Sequence, residues 1–246
     1  MTTPSTAVLR SEWIKIRSVR SVLFSLTAVF AATLAVTVLA FATVGQAEAD
    51  DGHDLLLSAF YALNFGQIAA ISFGATAVSS EFLNGALRIS LSAVPRRGRL
   101  YVAKMSVVGS LAFAVGTVTS FATFLVGQMF MGEYALGLED PGALRASFGG
   151  GIYLALIALF AAGLTAVLRS AVAVLSTLIP FLLIVSFVVG DVAGGVARYL
   201  PDQAGQSVLR QNPDGSLGPW AGLAVTAVWA GVALLAGWWR LRTRDA

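Results

Sequence analysis

Cysteine is absent from the 246 residues, histidine occurs once, lysine twice, and only 12% of the chain is charged. Each scarcity removes a class of chemistry. Without cysteine there are neither disulfides nor thiolate metal sites. The one histidine, His53, sits in the polar run GQAEADDGHD, which reads as a solvated linker and not as a cation site, since a lone imidazole among flexible carboxylates makes a poor ligand set. Lys15 follows Ile14 and Lys104 follows Ala103, so there is no Gly-Lys-Ser/Thr phosphate loop and no nucleotide hydrolysis by that route. A serine hydrolase buried in a membrane would need histidine within apolar sequence, where this chain has none. The chain therefore reads as no enzyme, with no catalytic residue, no metal and no cofactor of its own.

What is abundant is apolar: 57% of the residues are hydrophobic, too many for a soluble domain. A helix needs about 20 such residues to cross a hydrocarbon layer of roughly 30 Å. Six segments qualify, at 22–44, 55–78, 102–131, 152–168, 172–189 and 220–239. None alternates apolar with polar as a membrane barrel does. The expected fold is all-α, a polytopic membrane protein forming a single transmembrane domain over residues 1–246, with six spans. The first run is also too long for the core of a cleavable leader, although a basic stretch precedes it.

Charge sets the expected orientation. Thirteen of the 16 Lys and Arg fall on one side of an even-span layout, leaving Arg145, Arg198 and Arg210 on the other, while ten of the 13 Asp and Glu fall opposite. By the positive-inside rule both termini face the cytoplasm. A net charge of +3 then reflects arginines beside anionic lipid and implies no nucleic acid. The inner side keeps only Glu12, Glu81 and Asp245, too few and too scattered for phosphotransfer to lipid. Arginine used in place of lysine, with abundant Ala, Gly and Val, hints at a GC-rich bacterial genome and hence a plasma membrane.

Residues 7–20 read as an interfacial helix lying on the membrane, with Leu9, Trp13 and Ile16 on one stripe; the alternative is a basic flank that only fixes topology. In the second span Asn64 and Gln67 are three apart and share a face, so both need partners within the bundle. Thr117, Ser120, Thr123 and Gln128 in the third span pose the same choice between lining a pathway and bonding between helices. Pro180 is expected to kink the fifth span. Only Arg169 and Ser170 separate the fourth and fifth runs, which forces a tight turn. Residues 190–219 form a long outer connector, rich in turn residues but with apolar pieces that suit short re-entrant helices.

The segment 79–101 concentrates charge where the rest of the chain avoids it. Glu81 and Arg88 bracket FLNGAL, and Pro95 leads into RRGRL. Its apolar residues need a surface, and a partner protein supplies one. Glu81, at the membrane edge, needs a cation, and Arg88, seven residues on, is the expected one. Arg96, Arg97 and Arg99 suit lipid headgroups as well as a partner.

The opening LRSEWIKIRSVRS, the connector SSEFLNGALRISLSAVPRRGRLYVAK, the apolar outer segment before the last span and the terminal RLRTRDA together resemble permease subunits of type-2 exporter-class ATP-binding-cassette (ABC) transporters, in their actinobacterial branch. The resemblance runs end to end. It implies that residues 7–20 are the family's connecting helix and that 79–101 is its coupling loop, with Glu81, Phe82, Gly85, Leu87, Arg88, Leu91, Pro95, Arg96 and Arg97 the residues facing a separate ATPase. It further implies two ATPase subunits carrying the ATP and Mg, and a second permease, identical or paralogous. The substrate expected is an amphipathic drug, lipid or peptide, moved between two six-helix bundles. Phe82 stands where the family more often has Tyr, and position 87 is Leu; neither changes the class. The competing reading is a membrane immunity or regulatory subunit that binds without transporting.

Overall fold

A computed structural model of the chain describes residues 5–43, 54–82, 86, 90, 92, 96–185, 194–211 and 217–243. Apolar runs close their own backbone hydrogen bonds as helices, and among the described residues there is no strand. Helix α1 (Ser5–Ser18) is separated by Val19 alone from α2 (Arg20–Thr43). Helices α3 (Leu55–Ala59) and α4 (Leu63–Ser79) follow, then a 3₁₀ turn at Ser80–Phe82. Helix α5 (Arg97–Gln128) and α6 (Ala143–Leu168) flank a 3₁₀ turn at Gly132–Tyr134. Helix α7 (Ala171–Pro180) continues as a π turn at Phe181–Val185. Beyond it come a 3₁₀ turn at Gly194–Tyr199, α8 (Pro201–Gln206), a second 3₁₀ turn at Ser207–Leu209, and α9 (Pro219–Thr243).

Four of these helices, α2, α5, α6 and α9, are long and apolar enough to cross a membrane. The other two expected spans are interrupted. Asp54 caps α3 through Oδ1, which accepts from Leu56 N at 3.1 Å and Leu57 N at 3.0 Å. The backbone then switches to i→i−3 bonds, Phe60 N to Leu57 O and Leu63 N to Phe60 O among them, which keeps the peptide groups satisfied while turning the register. Buried Phe60 stacks on Phe124 of α5, ring centroids 5.7 Å apart. In the fifth run Pro180 ends α7 and the π turn begins at the next residue, the usual response to a missing N–H inside an apolar helix.

The bundle is organised around α6, which packs against α4, α5 and α9 and is the most buried of the four long helices. Small residues make this approach possible. A Cβ at Gly163 would lie 2.7 Å from the Ala233 carbonyl carbon of α9, and one at Gly74 would run into the Ala158 carbonyl. Between tails of lipid and tails of leucine there is little to choose, so such close backbone contact supplies much of the adhesion between membrane helices. Helix α6 ends at Arg169, whose φ of 57° is left-handed, and Ser170 caps α7 by accepting from Ala173 N at 3.2 Å.

Candidate functional site

Helix α1 meets the bundle through Val8, Glu12 and Ile16, spaced four apart and all buried. The expected stripe is thus split: Ile16 is buried in protein, while Leu9 and Trp13 lie on the adjoining exposed face. Glu12 is fully buried, and its carboxylate meets Lys15 Nζ at 2.7 Å and Lys104 Nζ of α5 at 2.9 Å. Glu81 meets the same two ammonium groups, Lys104 at 2.6 Å and Lys15 at 3.1 Å. Two carboxylates and two ammoniums therefore alternate in a closed, neutral ring joining α1, the turn after α4, and α5. Ser90 extends it toward the connector, accepting from Lys15 Nζ at 2.9 Å and donating to Glu81 Oε2 at 3.2 Å.

Burial acts on these groups against their partners. Desolvation alone would raise the pKa of Glu81, but the charges of Lys104 and Lys15 outweigh it and hold the carboxyl below its ordinary value. Desolvation likewise works to lower Lys15, and the Glu12 and Glu81 carboxylates overcome it, leaving the ammonium above its ordinary value. Glu81 and Lys15 are thus held charged by their neighbours in the ring.

The remaining connector residues divide. Phe82 lies under the Arg169 guanidinium, 5.5 Å from ring centroid to Cζ, which fastens the connector to the α6–α7 turn. Arg97 donates through Nη1 to Leu241 O at 3.0 Å, capping the last turn of α9, and Arg96 is exposed. Gly85, Leu87, Arg88, Leu91 and Pro95 lie outside the described residues. The expected Glu81–Arg88 pair therefore involves an undescribed residue, and the described cations of Glu81 are Lys15 and Lys104.

At the opposite end, Asn64 and Gln67 belong to one polar chain. Buried Gln67 Oε1 accepts from the Tyr153 hydroxyl. Gln206 of α8 then donates to Tyr153 Oη at 3.3 Å and to Asn64 Oδ1 at 2.9 Å. Beside it are two cavities of about 270 and 430 Å³ that share Tyr61, Asn64 and Gln206 in their walls. The third-span hydroxyls face α6 instead: Thr117 and Ser120 occupy the space that side chains at Gly151 and Gly150 would need. Their oxygens, and that of Thr123, have no hydrogen-bond partner among the described residues. Gln128 accepts from Leu136 N at 2.7 Å and so fastens the loop after α5.

Glu12, Lys15 and Lys104 escape the sequence reading, as does Tyr153. The available signal for Glu12 is its spacing with Val8 and Ile16; for Lys104 it is the position of the only other lysine, two residues inside an apolar run.

Comparison with known proteins bears on what this arrangement serves. Residues 8–189 match the family model described as ABC-2 family transporter protein. Searches of curated proteins and of solved structures found no match.

Proposed function

From the chain's place in the ABC-2 transporter family, to which it belongs, we propose that it is the membrane permease of an ATP-driven exporter. Family membership makes it a membrane transport component that works with an ABC ATPase and is not itself catalytic. In the proposed assembly two copies of that ATPase bind ATP and Mg on the cytoplasmic side of a bacterial plasma membrane. A second permease, identical or paralogous, completes the pathway between the bundles. Both termini face the cytoplasm, six crossings are made, and the segment 190–219 gates the outer exit as re-entrant helices. Residues 79–101 are the coupling loop.

The ring of Glu12, Lys15, Glu81 and Lys104 is the observation that supports this reading. A loop that transmits force from a motor must be clamped at its root, and this one is clamped to α1 and α5 through Glu81 and to the α6–α7 turn through Phe82. Displacing it therefore moves three parts of the bundle together. The cavities beside Asn64 and Gln206, aromatic and amide-lined, suit an amphipathic substrate.

The test is co-purification with the ATPase encoded by a neighbouring reading frame, followed by ATPase assays of the reconstituted complex. The reading expects the two proteins in equal amounts, with Lys104→Met and Glu81→Gln assembling normally yet lowering stimulated turnover. A chain that purifies without an ATPase, or variants that stimulate it as well as the wild type, would sink it.

A further inference from the structure

A groove of about 660 Å³ separates α1, α5 and α9, walled by Leu9, Val102, Ala103, Ser106, Leu235 and Trp238. Leu9, Val102 and Leu235 are 39%, 60% and 65% exposed, so no described residue covers them. Among the described residues lining it Arg99 is the one that carries charge, and a second cation adjoins its wall: the Arg242 guanidinium lies 4.6 Å above the Trp238 ring. The two ends are held in register by Arg97, bonded to Leu241 O. The result is an apolar slot with two guanidiniums beside it and no carboxylate among its described lining residues.

We infer that this groove is a binding site for an anionic phospholipid, one acyl chain lying in the slot and the phosphate at Arg99 and Arg242. The inference rests on the chain being a membrane protein and not on the transport reading. Three features select this occupant. The slot is accessible from outside the bundle, with Leu9, Val102 and Leu235 exposed in its walls, as an acyl chain in a bilayer requires, and each methylene buried favours binding. Planar guanidiniums match phosphate oxygens in pairs, and basic pockets between membrane helices at the cytoplasmic side collect anionic headgroups. A second copy of this chain is a poorer match, because the described carboxylates of this end, Glu12 and Glu81, are engaged in the ring and have no charge to offer two arginines.

Trp238, in the groove wall, is the reporter. The full chain with Trp13, Trp220, Trp229 and Trp239 changed to Phe is reconstituted in phosphatidylcholine vesicles, and bromine-labelled phosphatidylglycerol or phosphatidylcholine is titrated in. The expected result is quenching of Trp238 at a mole fraction about five- to thirtyfold lower for the brominated anionic lipid, the preference that one or two arginines near a surface supply. Arg99→Gln with Arg242→Gln should make the two lipids equivalent, while Ala103→Phe with Ser106→Phe should reduce quenching by both. Equal quenching with the arginines in place, or a preference that survives their neutralisation, overturns the inference. So does protection of Trp238 from both lipids together with crosslinking between copies at Val102→Cys, which would assign the groove to a second chain. If the Phe pair does not fold, the arginine pair still decides.

Discussion

Replacing Glu12 by Gln tests whether the ring holds α1 to the bundle. The carboxamide keeps the shape of the side chain but leaves the ring with two ammoniums and one carboxylate. Glu12 has no exposed side-chain surface and Lys104 only 6%, so this edge of the ring is screened little by water. Breaking a buried pair by removing one partner costs about 3–5 kcal/mol. The Lys15 edge adds little, because that side chain is 36% exposed and exposed pairs are worth at most about 1 kcal/mol. A loss of about 3 kcal/mol multiplies the population with α1 undocked roughly a hundredfold. Hydrogen exchange of the α1 amides in lipid nanodiscs reads that opening locally. The protection of residues 8–16 should fall by about two orders of magnitude while that of α6 is unchanged. Adding Lys104→Met removes the stranded charge, so the double variant should recover part of the loss, a coupling of about 1–3 kcal/mol. Unchanged protection in Glu12→Gln, or a double variant whose losses simply add, would refute the idea that the ring docks α1.

The same protection should depend on pH in a definite way. Glu81 is held below its ordinary pKa, so its contribution is present above about pH 4.3 and disappears as pH falls through the lowered folded value; Lys15 is held above, so its share persists up to about pH 10.4 and fades beyond the raised one. Exchange measured across pH should therefore show a plateau flanked by two falls, and Glu81→Gln should abolish the acid limb; a flat profile in the wild type contradicts the assignment. Gly163→Ala places a methyl 2.7 Å from the Ala233 carbonyl carbon, and overpacking of about 1–3 kcal/mol should appear as a lower thermal midpoint in detergent. An unshifted midpoint would mean that α6 and α9 are looser than the structure shows. At Arg169, with its φ of 57°, Gly should be more stable than Ala by about 1–2 kcal/mol because only Gly avoids the left-handed penalty. Equal thermal midpoints would argue against that backbone conformation. Removing the Tyr153 hydroxyl partner with Gln67→Leu should cost about 1–3 kcal/mol, and Tyr153→Phe in the same chain should restore part of it; a double variant no better than Gln67→Leu alone would deny the bond.

Much of the fold is legible because membrane helices advertise themselves by length and apolarity. Each of the four long helices overlaps one apolar run, although α6 begins at Ala143, nine residues before its run, and the Arg169–Ser170 turn follows from there being no room for anything longer. What the runs do not carry is where a helix stops being regular: Leu55 to Val78 reads as one span, yet its backbone tightens at Phe60–Ala62, where Phe60 stacks on Phe124 across the bundle. The ring was hidden for a related reason. Apolar patterning puts Leu9, Trp13 and Ile16 on one membrane-facing stripe, but the face that meets the bundle carries Glu12, in step with Val8 and Ile16 and more buried than Leu9 or Trp13, since its charge finds Lys104 of α5. Asn64 and Gln67 do share a chain of hydrogen bonds, yet its middle members, Tyr153 and Gln206, come from distant sequence and could not be read from the spacing.

The use of charge at this position has a physical rationale. Replacing a buried ion pair by apolar groups often leaves stability unchanged or improved, so the ring is not needed for adhesion alone. Helix α1 is one that the sequence places between protein and lipid, and there an apolar face gains almost nothing by choosing one over the other. A helix held only by Val8 and Ile16 could roll or drift without much cost. A carboxylate cannot, because in apolar surroundings it must stay with its cations. Glu12 thereby fixes both the position and the rotation of α1, with Leu9 and Trp13 turned outward. Since Lys15 and Lys104 are shared with Glu81, the same constraint fixes the start of the connector. The registry of α1 and the seating of residues 79–101 are one electrostatic problem with one solution, which is why perturbing either carboxylate should be felt at both.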